Sequence, residues 1–139
     1  MDWIFPYAAA LVTLLLLDAG WLFLVARKLY RSELDIIRAK PNIVSATLFY
    51  LVYSVGVAAF ALVPLSRHFD GAHATTQVLL QVFGWGAGLG VFAYSTFTLT
   101  NQTVIEHWKL KLTILDTLWG GILTGTATLV GFIVFRALA

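Results

Sequence analysis

Two aspartates stand where carboxylates are rarely found, Asp18 in the run L-L-L-L-D-A-G-W and Asp116 in T-I-L-D-T-L-W-G-G. An ionised carboxylate in hydrocarbon costs about 3 kcal/mol or more, so each must be paired, hydrated or protonated. Each is followed three residues later by a tryptophan, Trp21 and Trp119, which puts acid and indole on one helical face. Carboxylates so placed can bind a cation, hold or relay a proton, or lock helices together by accepting hydrogen bonds. Tyr50, Tyr53, Tyr94, Thr98 and Asn101 fall at matching depth. With Asp18, Trp21, Asp116 and Trp119 they form the candidate ligand-binding cluster, in which the indoles would supply apolar or cation–π walls.

Other chemistry has less support. The chain has no cysteine, which removes disulfides, thiolate nucleophiles and iron–sulfur clusters. His68, His73 and His107 lie in or beside connections, so no span offers an imidazole to haem. His68, Asp70 and His73 share a short glycine-containing loop and read as surface residues. No metal and no cofactor are therefore expected. His107 follows Glu106, where an imidazole could pass protons. No nucleophile elbow, P-loop, H-E-x-x-H or acyltransferase pattern occurs, and no residue is assigned a catalytic role.

These residues must be positioned by helices in a membrane. The chain has 139 residues, enough for one domain; 60% are hydrophobic and only 12% charged, far from a soluble composition. Mean hydropathy is +0.86. With a net charge of +2 and no basic stripe interleaved with aromatics, nucleic acid is not an expected partner. Four stretches suit a hydrocarbon core about 30 Å thick: residues 3–26, 43–63, 78–98 and 114–138, with Pro41 and Pro64 as boundaries of the second. The first carries its charge after the apolar run, at Arg27 and Lys28, unlike a removable signal peptide. The expected fold is all-α, a polytopic four-helix transmembrane bundle occupying residues 1–139.

Basic residues set the orientation. Arg27, Lys28, Arg31, Arg38, Lys40, Lys109 and Lys111 fall on the first and third connections; only Arg67 and Arg136 lie opposite. Both termini are therefore expected outside, periplasmic in a bacterium, with the polar cluster facing the cytoplasm. Residues 27–42 read as an interfacial amphipathic connection, with Leu29, Tyr30, Leu34 and Ile37 on one stripe and Arg31, Asp35 and Arg38 elsewhere. Gly84/Gly88, Gly86/Gly90 and Gly121/Gly125, with Gly120 alongside, are G-x-x-x-G ridges. They predict a tight hairpin of the third and fourth spans, with one ridge left for a homo-oligomer contact.

L-D-A-G-W-L (17–22), K-L-Y (28–30), F-Y-L-V-Y-x-x-G (49–56), L-T-N (99–101) and L-D-T-L-W-G-G (115–121) together resemble domain-of-unknown-function family 2177 over nearly the whole chain. The resemblance implies a small bacterial inner-membrane protein of four spans and supplies no activity. Its pattern falls on Asp18, Trp21, Tyr30, Tyr50, Tyr53, Asn101, Trp108, Asp116, Trp119 and Gly120. One position departs: Thr98 stands where the family's pattern carries an acid, which weakens a metalloenzyme reading. Three functions stay open. The first is binding or transport of a small ligand, lipid headgroup, proton or cation. The second is a structural subunit or assembly factor of a larger membrane complex. The third is a lipid-modifying enzyme with an aspartate as general base. The expected partners are membrane lipids, with a homo-oligomer or larger complex also open.

Overall fold

Long apolar runs without alternation leave the backbone one way to satisfy its polar groups in lipid, and the chain takes it. The computed structural model describes residues 3–34 and 40–139. It contains four long apolar helices: α1 (Ile4–Ser32), α2 (Ile43–His68), α3 (Thr76–Val104) and α4 (Leu110–Leu138). No strand occurs among the described residues. Three helices have 29 residues and α2 has 26. At 1.5 Å per residue they reach roughly 40 Å, through the hydrocarbon and into the headgroups on both sides. The fold is an all-α, multi-pass membrane bundle.

Two helices continue where the sequence reads a boundary. Pro64 lies inside α2, whose helix carries on to His68. Proline cannot donate to the carbonyl one turn back, and a π-helical stretch at Ala58–Leu62 absorbs the misfit. In α1 a second π-helical stretch, Leu22–Ala26, follows Trp21, and regular helix resumes over Arg27–Glu33. The first part of the connection is thus an extension of α1; Asp35, Ile37 and Arg38 lie outside the described residues. Where α2 and α3 begin, Asn42 and Thr75 cap them by accepting from the N–H groups of Ser45 and Val78.

The fourth helix is the hub. More than half of its apolar window (56%) is buried inside the bundle, against 17% for α1 and α3 and 28% for α2. Gly86 and Gly90 face α4: a Cβ on Gly90 would overlap the Gly120 carbonyl and the Thr124 hydroxyl, and one on Gly86 would meet Thr128. Gly120 in turn lies under the Tyr94 ring, and Gly125 against Phe83. Helices in lipid gain no hydrophobic drive from each other, so this close approach supplies the attraction as dispersion. The other ridge, Gly84/Gly88, has open space around both glycines. Large side chains such as Phe23, Val52, Phe60, Trp85 and Phe92 point outward, each at least 70% exposed. In water that surface would aggregate, whereas acyl chains cover it.

At the end bearing the chain terminus, Arg136 donates to the carbonyls of Phe69 and Ala72, tying α4 to the connection that follows α2. Gly71 turns that connection with φ +74. Arg136→Ala is expected to lower stability by about 1–2 kcal/mol through loss of these charge-assisted bonds, read as a lower unfolding midpoint in detergent. At the opposite end the Trp108 indole is buried against Leu34 and Leu112. It donates to Thr113 (3.1 Å), whose hydroxyl donates to Gln102 (2.8 Å). Trp108 therefore closes the base of α3 and α4 as a packing residue.

Candidate functional site

The two L-D-x-x-W turns lie on α1 and α4, which run antiparallel. Trp3 stacks on Phe135 where α1 begins and α4 ends, a Cβ on Gly131 would meet the Pro6 carbonyl, and Trp119 meets Asp18. This register sets Trp21 level with Asp116. Asp18 is buried, and both its oxygens are engaged. The Tyr50 hydroxyl donates to Oδ2 at 2.7 Å, and the Trp119 indole N–H donates to Oδ1 at 2.9 Å. One carboxylate thus joins α1, α2 and α4. Trp21 completes the unit by stacking on Trp119, with centroids 4.7 Å apart and planes 8° from parallel.

Asp116 is placed differently. It is also buried, at 6% exposure, and lies within electrostatic reach of Asp18. No hydrogen bond from a described residue reaches it, and neither acid has a salt bridge among the described residues. Two acids with equal standing in the sequence therefore have unequal roles in the bundle. Asp18 is held by two donors, and Asp116 receives none from a described residue while its oxygens stay accessible at the bundle surface.

The tyrosines form one wall of the cluster. Tyr53 shares a hydrogen bond with Thr124 (2.7 Å), stacks on Phe49 and meets Tyr94 edge-on at 5.9 Å. Tyr94 lies within electrostatic reach of Asp18, Tyr53 and Tyr50. Thr98 is buried but turned to its own helix, donating to the Tyr94 carbonyl at 2.9 Å with the Thr117 hydroxyl 3.3 Å away. Asn101 is half-buried; among the described residues no hydrogen bond joins its amide to either carboxylate. The bundle thus assembles Asp18, Trp21, Tyr50 and Trp119 by direct contact and places Asp116, Tyr53 and Tyr94 beside them. Thr98 and Asn101 remain apart.

The hydroxyls that look like a polar belt on α3 are spent locally. Those of Ser95, Thr96, Thr100 and Thr103 each donate to a carbonyl three or four residues back, as such side chains do when they lie in a helix interior. The sequence set Thr124 beside Gly120 as a packing position, but not as the partner of Tyr53, and it did not single out the pair Thr113 and Gln102. The signal was available in their positions, since Thr124 lies on the same face as Gly120 and Gly121. An open groove of about 430 Å³ lies elsewhere: Trp3, Tyr7, Val55, Ala58 and Leu62 line it at the other end of α1 and α2. Its apolar walls, near the Tyr7–Ser54 hydrogen bond of 2.9 Å, suit an acyl chain and no charge.

A family model described as predicted membrane protein (DUF2177) matches residues 3–133. No curated protein and no solved structure matches the chain.

Proposed function

The chain belongs to this family of membrane proteins, and on that premise we propose that it binds or transports a small cationic ligand, a proton or a lipid headgroup at the Asp18/Asp116 cluster. One observation carries the reading: two carboxylates from α1 and α4 lie within electrostatic reach of each other in an apolar bundle, Asp18 with both oxygens bonded and Asp116 with accessible oxygens that receive no hydrogen bond from a described residue. A bundle built only for stability gains little from a second acid beside Asp18, because two neighbouring carboxylates in apolar helix repel and oppose folding. An acid retained against that penalty is explained by a ligand that supplies the missing positive charge. Asp18, by contrast, acts as the brace that positions Trp119 and Tyr50 around the open acid. The excess of Lys and Arg at this end supports a cytoplasm-facing site in a bacterial inner membrane.

The test is reconstitution of the full chain into liposomes loaded with a pH- or cation-sensitive dye. Asp116→Asn is expected to slow any protein-dependent flux about tenfold or more, with Asp116→Glu retaining part of it. Equal flux from wild type and Asp116→Asn would refute the assignment.

A second reading, as a subunit of a larger membrane complex, is favoured by the Gly84/Gly88 ridge. A G-x-x-x-G ridge with open space at both glycines is a surface on which another helix can pack closely.

A further inference from the structure

We propose that the groove between α1 and α2 seats one acyl chain of an anionic phospholipid, with the headgroup phosphate paired to Arg67. The site lies at the end of the bundle that carries the chain terminus, away from the two aspartates, and is independent of the reading above. Both helices rest on α4: a Cβ on Gly131 would meet the Leu62 side chain and the Pro6 carbonyl, and Trp3 stacks on Phe135. On the lipid side they stay apart. Ala58 and Ala59 begin the π-helical stretch of α2, and these small residues share with Trp3 and Tyr7 a groove of about 430 Å³, a volume within the range of small-molecule sites. The Tyr7–Ser54 hydrogen bond (2.9 Å) joins the two helices beside it. Ile4 and Val55 on its rim are 61% and 57% exposed, so the groove opens sideways to hydrocarbon.

The charge beyond the groove selects the occupant. Val55, Ala59 and Val63 line it at every fourth residue of α2, and Arg67 is the next residue of that stripe, one turn on. Arg67 is exposed, and no hydrogen bond or ion pair joins its side chain to a described residue. Arg136, the other arginine at this end, is committed to the carbonyls of Phe69 and Ala72. Asp70 approaches Arg67 through its backbone, donating its N–H to the Arg67 carbonyl. Beside Arg67 one further polar atom is unmatched: Ser66 Oγ is buried with no partner among the described residues, an uncommon state for a hydroxyl. A bare hydrocarbon chain meets none of this polar demand. A phospholipid does, because its ester oxygens follow the acyl chain and its phosphate takes two N–H groups of a guanidinium at once. A zwitterionic headgroup already answers its phosphate with an ammonium, so a net-negative headgroup gains more from Arg67, about fivefold in occupancy for one cation.

The experiment uses the full-length protein in phosphatidylcholine nanodiscs that carry a small share of photoactivatable lipid, either phosphatidylglycerol or phosphatidylcholine with a diazirine in one acyl chain. After illumination the labelled peptides are mapped. Residues 3–7 and 55–63, which contain the groove's lining, are expected to take most of the label, about fivefold more from the glycerol lipid than from the choline lipid. Arg67→Gln is expected to make the two lipids equal without emptying the groove. Ala59→Trp fills the groove from an exposed position and is expected to remove the label from both segments, with an unchanged unfolding midpoint as the control for folding. A lipid preference that survives Arg67→Gln overturns the headgroup assignment. Label spread evenly over all four helices, or label at 55–63 that Ala59→Trp leaves in place, overturns the groove as a site. Protection of those residues from both lipids means that a second copy or another protein covers them, which overturns it as well.

Discussion

Gly90→Ala is expected to destabilise the bundle by about 3 kcal/mol or more, whereas Gly88→Ala, two residues away, should change it by less than about 0.5 kcal/mol. The added methyl at position 90 would occupy the space of the Gly120 carbonyl and press on the Thr124 hydroxyl. The obstacle is backbone on the hub helix, so no rotamer change relieves it, and overpacking of this kind lies at the upper end of the usual range. Separating α3 from α4 would also release Tyr94 from Gly120 and Tyr53 from Thr124. At Gly88 nothing lies within reach of the new methyl, so only helix propensity changes, slightly in favour of alanine. Unfolding midpoints of both variants in one detergent, or unfolding free energies by steric trapping, read the contrast. Similar losses at the two positions would mean that both ridges are closely packed, and a larger loss at Gly88 that the other ridge faces α4. A loss at Gly88 seen only in native membranes would place a second helix there.

Asp18→Ala should come next in severity, at about 3 kcal/mol. The substitution removes the shared acceptor of Tyr50 and Trp119 and leaves two donors facing apolar surroundings. Hydrogen bonds to a charged group contribute about 1.5–3 kcal/mol each in water-soluble proteins, and nearer about 0.6 on average inside membranes. Loss of the carboxyl volume from a closely packed site adds to the smaller figure. Relief of repulsion with Asp116 acts the other way but is a single interaction against two bonds and a cavity. Tyr50→Phe isolates one bond and should cost about 1 kcal/mol. A stable Asp18→Ala protein with unaltered tryptophan emission would show that the Asp18–Trp119 bond does not brace the bundle.

The spans were legible because apolar length is a local property, and so was the tight α3–α4 hairpin, because small residues every fourth position have few other uses. Which ridge faces inward was not legible. Gly84/Gly88 and Gly86/Gly90 have the same spacing, and only the rotation of α3, set by Tyr94, Phe83 and Thr98 against α4, distinguishes them. Pro64 misled for a related reason. Proline ends helices in water, but a helix held in lipid has no solvent to receive its freed groups, so it widens into a π turn and continues.

The cluster shows the same division. Two buried acids, each with a tryptophan one turn on, could be read directly as a pair at the basic end of the bundle. Their inequality could not, since it depends on whether a tyrosine of α2 reaches one acid or the other. The hydroxyls of α3 were overrated as ligands because sequence cannot show that Ser95, Thr96 and Thr100 turn back to their own helix. Thr98 does so as well, and its one contact beyond α3 is with Thr117.

Asp116 receives no hydrogen bond from any described residue, while Asp18 is fully bonded. The most direct measurement is the unfolding free energy of Asp116→Asn beside that of Asp18→Asn, in the same lipid and without added cation. Asp116→Asn is expected to equal or exceed wild type, because it loses no hydrogen bond from a described residue and relieves repulsion with Asp18, while Asp18→Asn loses roughly 1–2 kcal/mol as one of its two donors meets an amide. A loss at Asp116 as large as that at Asp18 would contradict the account, because it would mean that Asp116 already has a donor inside the protein.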